Sequence, residues 1–494
     1  MSNSLKASTT GLAIVDKARQ RCGWTKTSTA RWWHDAHTSR ATLRRFWQGE
    51  RIQREIFIAI CQAVGISNWE AIADSADLNS DIADITTSYL DWHQAPDVES
   101  FYGRNQQLQQ LEQWITSDRC KLITIVGIGG IGKTALVLAL AERIQPQFDC
   151  LIWRSFPTVT SLLSLLDSLL HTFDQTVVQD ISQGTAQLIH HLQQRRCLLV
   201  FDGLDTFKDL NNYSQFIQQL SRNHHQSCII VTSREQPKAI EIGSKTIRCL
   251  TLKGLSKTEA LELLKSKGFT GKELGLLGLI QLYRGNPLAL KLVTPLIQSV
   301  FAGNVAAFLS QNTLVIGDRL RTILKQQFEQ LSDLEQDILY WLAIWQKPVT
   351  LCRLQTHLLI SVDPATILEA IVALERRSLL EKWLSVEETS FTLQPLVMKI
   401  VTDELVENAA QEIHQVVQSH NIGHFKILRT HWLLRPGTDD IAGDRILHQL
   451  QEHLWRVYGA TLPQTLDQIL LLLKDQSPLA IGYIACNLTT LLNV

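Results

Sequence analysis

The run Gly127-Ile-Gly-Gly-Ile-Gly-Lys-Thr134 restricts what this 494-residue chain can fold into more than any other feature. It fits the spacing G-x-x-x-x-G-K-[ST]. Gly127, Gly129, Gly130 and Gly132 let successive backbone N–H groups turn inward around a phosphate without Cβ clashes. Ile131 and Ala135 complete the cradle. Lys133 places a point charge on β- and γ-phosphates, and the Thr134 hydroxyl is a magnesium ligand. An apolar run, Leu122–Val126, precedes the loop, and a helical pattern, Thr134–Ile144, follows it. That order sets a helix N-terminus against the anion, where the dipole favours it. The expected ligands are ATP or ADP and Mg2+.

Magnesium needs a second oxygen donor, an Asp at the end of a buried strand. The run Cys197-Leu-Leu-Val-Phe-Asp202 supplies Asp202. Other short apolar runs read as strands at Leu151–Trp153, Leu198–Phe201, Cys228–Val231 and Ile247–Leu250, with helical stretches such as Leu162–Phe173 between them. Strands apolar on both faces and alternating with helices predict a parallel α/β sheet.

Further motifs follow in a fixed order. Phe101-Tyr102-Gly-Arg104 leads, then the glycine loop, Asp202, Ile229-Ile-Val-Thr-Ser-Arg234 and Gly285-Asn-Pro287-Leu-Ala-Leu290. Together they make residues 99–405 resemble the NB-ARC class of STAND-type NTPases, the switch ATPases of plant disease-resistance and animal apoptosome proteins. The resemblance implies a multidomain α/β plus all-α architecture. A P-loop domain (99–252) would be followed by a helical lid (253–325) and a winged-helix domain (326–405), then a C-terminal helical region (406–494). It implies that Tyr102 and Arg104 lie near the adenine, that Pro287 stacks on it, and that Arg234 contacts the γ-phosphate. Asp202, Asp205 and Arg234 are then the catalytic candidates, and Thr134 and Asp202 the metal ligands.

Two departures bear on turnover. The family carries a second acidic residue straight after the strand-ending Asp, where this chain has Gly203. Asp205 is the substitute within reach. The family's winged-helix His, which touches the β-phosphate of ADP, is replaced by Gln394. Gln donates a hydrogen bond but carries no charge. Both changes leave binding intact and imply at most a slow ATPase, which suits a switch whose nucleotide state matters more than its rate. Self-association on activation is the implied output; the alternatives are a DNA-binding transcriptional regulator gated by the same ATPase and a hydrolysis-deficient scaffold.

The first 75 residues differ in character. Eleven Lys and Arg face six Asp and Glu, a net of +5, whereas the whole chain is at −1. Ser39 reads as an N-cap and Gly49 as a stop around a helix that sets Leu43, Phe46 and Trp47 on one side and Arg40 and Arg44 on another. A second helix, Glu55–Val64, ends at Gly65. This resembles a repressor-type helix-turn-helix, with Arg40, Arg44, Arg45 and Arg51 as DNA-contact candidates. The competing expectation is a helical module that docks an adaptor protein. Residues 76–98, acidic and rich in turn formers, read as a linker.

Other chemistry is thin. No run of 18 apolar residues and no signal-peptide pattern appear, so a cytoplasmic protein without a membrane partner is expected. The nine cysteines are scattered without a Cys-x-x-Cys pair, which speaks against a zinc knuckle or disulfide framework. His190-His191 and His224-His225 are adjacent and diverge in either a helix or a strand. The helical tail ends where repeats usually begin in similar proteins, so a sensor-less or truncated family member is expected.

Overall fold

The computed structural model describes residues 4–26, 29–36, 38–66, 69, 72–74, 89–92, 94–96, 101–156, 159, 161–173, 178–206, 210–236, 245–311, 313–358, 362–384, 388–433 and 441–493. The chain divides into two compact units, Met1–Thr87 and Ser88–Val494.

The first unit runs β1 (Ser4–Leu5), α1 (Thr9–Arg21), α2 (Ala30–Asp35), α3 (Arg40–Trp47), β2 (Ile52–Gln53) and α4 (Arg54–Ala63). The two short strands pair antiparallel. Ser39 caps α3 as the sequence requires: its Oγ accepts the Thr42 N–H at 3.1 Å. Leu43, Phe46, Phe57 and Ile60 are fully buried and form the centre of the core. Trp32 joins them, with Nε1 donating to the Ile60 carbonyl at 3.3 Å.

The second unit is built on a six-stranded sheet. Its strands are β3 (Tyr89–Asp91), β4 (Leu122–Val126), β5 (Cys150–Ser155), β6 (Cys197–Asp202), β7 (Cys228–Ser233) and β8 (Ile247–Thr251). Their order is β3-β5-β6-β7-β4-β8, and every pairing is parallel. Helices α5 (Asn105–Thr116), α6 (Lys133–Ile144), α7 (Leu162–His171), α8 (Ile181–Gln194) and α9 (Leu210–Arg222) cross between the strands. Alternate strand residues feed two cores. Ile123, Ile125, Leu198, Val200 and Ile230 pack into one layer, while Leu122, Leu199, Phe201, Ile229 and Val231 pack into the other. Burial on both faces is why these strands read as continuous apolar runs.

The first layer continues without a break into the helical half of the unit. Its elements are α10 (Lys257–Ser266), α11 (Leu276–Leu282), α12 (Pro287–Val300), α13 (Val305–Leu309), α14 (Asp318–Glu329) and α15 (Asp333–Trp345). Then come β9 (Val349–Thr350), α16 (Leu351–His357), α17 (Pro364–Arg376), β10 (Leu380–Leu384) and β11 (Thr389–Leu393). The last three strands form an antiparallel sheet in the order β10-β11-β9. The long α18 (Pro395–Ser419) leads to α19 (Ile427–Thr430), α20 (Ile441–Tyr458), α21 (Leu462–Leu472), α22 (Pro478–Ile481) and α23 (Ile484–Asn493). Among the described residues no helix is long and apolar enough to cross a membrane.

Several expectations change. The segment assigned to a linker contains β3, which adds an edge strand beside β5. Three residues are too few to show a period, and the acidic surroundings mask them. The strand at Leu151–Trp153 extends through Arg154 to Ser155. Arg154 ends an apolar run, yet it is 4% exposed because partners satisfy it. Its Nη1 donates to Asp91 Oδ2 at 2.7 Å and its Nε to Ser168 Oγ at 2.8 Å. Helix α14 runs through the expected boundary at 325/326, and α18 through that at 405/406.

The Asp91–Arg154 pair is what fastens β3. Removing one member of a buried pair leaves an uncompensated charge, which costs about 3–5 kcal/mol. Asp91→Ala should lower unfolding stability by that amount in urea titration. A loss under about 1 kcal/mol would show that the pair is not what holds the strand.

Candidate functional site

The register of the parallel strands gathers the site. Val126 of β4 lies beside Ser233 of β7, and Phe201 of β6 beside Val231. Three connections therefore leave the same edge of the sheet: Gly127–Gly132, Gly203–Thr206 and Arg234–Gln236. Ligands of open α/β sheets bind at such carboxyl ends.

The glycine loop closes onto α6 with φ of 77° at Gly130 and 97° at Gly132. L side chains rarely adopt these values, so the glycines are needed here. A Cβ on Gly129 would stand 2.4 Å from Ile323 Cγ2 on α14, and one on Gly130 would stand 2.9 Å from Leu288 Cβ. The loop is thus bounded by sheet, by α12 and by α14. Asn286 caps α12, its Oδ1 accepting from Leu288 and Ala289 N–H, while its Nδ2 donates to the Gly129 carbonyl at 3.1 Å. Pro287 opens that helix, and a Cβ on Gly132 would sit 3.6 Å from its Cγ. Arg104, at φ 65°, donates to the Ile131 carbonyl and to the Lys253 carbonyl, both at 2.8 Å. Its backbone N–H is held by the Glu259 carboxylate. Tyr102 is half-buried against the core. Ala135 lies in the first turn of α6.

Asp202 ends β6. Thr134 Oγ1 donates to its Oδ1 at 2.8 Å, and Thr232 Oγ1 donates to the same oxygen at 2.6 Å. Burial raises the Asp202 carboxyl above the usual range, while these two hydroxyls and Lys133 pull it back. Lys133 Nζ turns onto the Gly127 carbonyl at 2.6 Å and the Ile128 carbonyl at 3.3 Å. Desolvation lowers its ammonium to about 8, with Asp205 opposing the fall and Arg234 adding to it. A buried ammonium short of counter-charge, beside a carboxylate and a hydroxyl that share one hydrogen bond, is a donor set suited to a magnesium-bound polyphosphate.

Asp205 is committed to Arg234. Its Oδ1 accepts the Arg234 N–H at 2.7 Å, and its Oδ2 lies 3.2 Å from Arg234 Nε. Arg234 Nη1 also donates to the Ile323 carbonyl at 3.3 Å. The next residue, Glu235, pairs with Arg377 at 3.1 Å, and the Gln236 N–H donates to the Arg376 carbonyl at 3.2 Å. Gln394 is the N-cap of α18, and its side chain makes no capping bond. Val397, Ile400 and Val401 of that helix line a small cavity together with Leu324 and Phe328 of α14.

The sequence names Lys133, Thr134, Asp202, Asp205, Arg234, Arg104 and Pro287, and the structure brings all of these to one edge. It misses Asn286, Glu259, Thr232 and Ile323. An Asn before a helix-opening Pro is a capping signal, and it points to Asn286. The histidine pairs diverge: His191 stacks on Phe173, His190 bonds Gln194, and His225 sits between the carbonyls of Ser227 and Leu220. No group of three His, Cys, Asp or Glu suited to a metal occurs among the described residues.

Residues 104–274 match the NB-ARC domain family. An uncharacterized WD repeat-containing protein of Nostoc is 36% identical over 83% of this chain and 37% of its own length. The disease resistance-like protein DSC1 of Arabidopsis thaliana is 32% identical over 39% of this chain and 16% of its own length. The chain therefore spans well under half of either relative. Among solved structures, a STAND protein with a tetratricopeptide repeat sensor from Pyrococcus horikoshii aligns at TM-score 0.31 and 18% identity, covering 81% of this chain and 57% of that one. A Walker-type ATPase of Pyrococcus abyssi aligns at TM-score 0.43 and 13% identity, covering 61% of this chain and 96% of that one. Both structural likenesses are remote.

The close approach of α14 to the loop has a direct test. Gly129→Ala drives a methyl into Ile323, whose Cγ2 branches at Cβ and cannot swing clear. Overpacking of this kind costs about 1–3 kcal/mol. Urea unfolding of the variant should show that loss, and Ile323→Ala in the same chain should recover part of it.

Proposed function

From a chain that carries an NB-ARC domain, and so belongs with the STAND-type P-loop NTPases, we infer an ATP/ADP-binding signalling switch whose nucleotide state sets the position of the helical half. The observation that carries this reading is the stretch Arg234–Gln236. Three consecutive residues touch Asp205 on one side and Ile323, Arg376 and Arg377 on the other. A rearrangement of Arg234 at the nucleotide edge is therefore felt at once by α14 and by the end of α17.

Each residue at the edge then has a role. Backbone N–H groups of Gly129–Thr134 and the Lys133 ammonium bind the phosphates. Thr134 and Asp202 hold Mg2+, which neutralises phosphate charge when bound. Arg104 and Asn286 fix the loop from outside through its carbonyls. Pro287 closes the adenine side. Arg234, relieved of Asp205, turns to the γ-phosphate. In the ADP state it stays on Asp205 and Ile323, and the helical half stays closed. Exchange to ATP draws it away, loosens the Glu235–Arg377 contact and frees the sheet domain for self-association.

Hydrolysis in such a site is slow. Asp205, the nearest substitute carboxylate, lies three residues past Asp202 instead of directly after it, and both its oxygens are on Arg234 until Arg234 moves. Gly203 holds φ 80°, which resists a side chain at the position where a second carboxylate would stand.

Purified protein, denatured and chromatographed, should release near-stoichiometric ADP, and Lys133→Ala should release none. Absence of nucleotide together with no binding of added ATP or ADP in magnesium would overturn the reading. The latch has its own measurement. Glu235→Arg and Arg377→Glu should each hasten ADP release and raise protease sensitivity several-fold. The double exchange should restore both, because it rebuilds the pair with reversed sign. Singles that match the parent protein would remove Glu235 and Arg377 from the switch.

A further inference from the structure

We propose that the first unit binds duplex DNA through the exposed face of α3, with Arg40 and Arg44 directed at base edges in the major groove. This surface belongs to the first unit and the nucleotide site to the second. Four positions, 36–39, separate α2 from α3, and α3 is anchored by its buried face. Leu43 and Phe46 are fully buried, and Phe46 packs on Phe57 of α4 with ring centroids 5.4 Å apart. The anchor leaves Arg40, Ala41, Arg44 and Gln48 exposed at spacing i, i+1, i+4, i+8, a single helical stripe. Eight residues rise about 12 Å, the width of the major groove. In a helix-turn-helix the N-terminal part of the second helix meets the bases, and that part holds Arg40, Ala41 and Arg44.

Charge selects the partner. Two acidic residues flanking α3 in sequence are already matched: Asp35 with Arg31 at 3.5 Å and Glu50 with Arg45 at 3.0 Å. Arg40 and Arg44 have no ion pair among the described residues, so they are the cations left for an external anion. Arg45 is drawn off to Glu50 and to the Arg51 carbonyl, which makes it a support for the following loop and not a base contact. Exposed Arg51 at that loop suits a phosphate.

Two rival ligands fit less well. A protein interface needs a buried apolar or aromatic anchor, and the stripe has Ala41 alone. Single-stranded nucleic acid needs exposed aromatic platforms. Here Trp32 is fully buried, and Trp24 and Trp47 pack on it with ring centroids 5.9 and 5.7 Å away. Ala41 is the residue that lets the helix backbone settle onto the groove floor.

The test uses the full chain and labelled 30-base-pair random-sequence duplex, followed by selection from a randomised duplex pool. The expected result is binding that weakens linearly with log salt concentration. Arg51→Ala should weaken all duplexes alike and reduce the salt slope by about 1. Arg44→Ala should lose about tenfold in affinity for the selected sequence and relax its preference at one base pair. Ala41→Glu, at an exposed position, should abolish binding with the thermal melt unchanged. Lys133→Ala should still bind, so that failure of the nucleotide switch and failure of this inference are told apart. No duplex binding, binding indifferent to salt, equal binding to single strands, or an Ala41→Glu variant that binds normally would each overturn it.

Discussion

A parallel sheet brings the carboxyl ends of its strands to one edge, and every polar feature of the site depends on that constraint. The interior of the sheet is apolar on both faces, so charges have no place along the strands except at their ends. Asp202, Ser233 and the glycine loop emerge together because β6, β7 and β4 are adjacent and in register. Strand order, not proximity in sequence, makes neighbours of Thr134 and Asp202.

Partial burial then sets the chemistry. Lys133 is stripped of water and rests on backbone carbonyls, which partly compensate its charge. Asp202 is stripped likewise and rests on two hydroxyls. Both groups are held in a state that an oppositely charged ligand relieves, and the relief contributes to affinity. The loop itself needs no side chains for this. It is braced through its carbonyls, by Arg104 at residue 131 and by Asn286 at residue 129.

Much of this was legible in the sequence. The glycine loop, Asp202 and the five strands β4–β8 carry local signals: composition, spacing and short apolar runs. What escaped was long-range. Arg154 looked like a strand terminator because its carboxylate partner lies 63 residues away. Strand β3 was invisible because it exists only by pairing with β5. The bond from Asn286 to Gly129 spans 157 residues, and that from Arg234 to Ile323 spans 89. No window on a single chain reports such contacts. Gln394 was named by motif position, and the structure gives it the N-cap of α18.

Strand β3 also decides how the second unit yields to tension. It is three residues long and lies at the edge, and the chain leading to it comes from the first unit. It is the first of the sheet strands in the chain, so load applied from the N-terminal side meets it before the others. It is paired on one side only, and is otherwise held by the Asp91–Arg154 pair, by Trp92 stacked on Trp153 and by Gln94 Oε1 accepting the Ser155 N–H. An edge strand with so few attachments opens at lower cost than inner strands paired on both sides, so it shields them from such load.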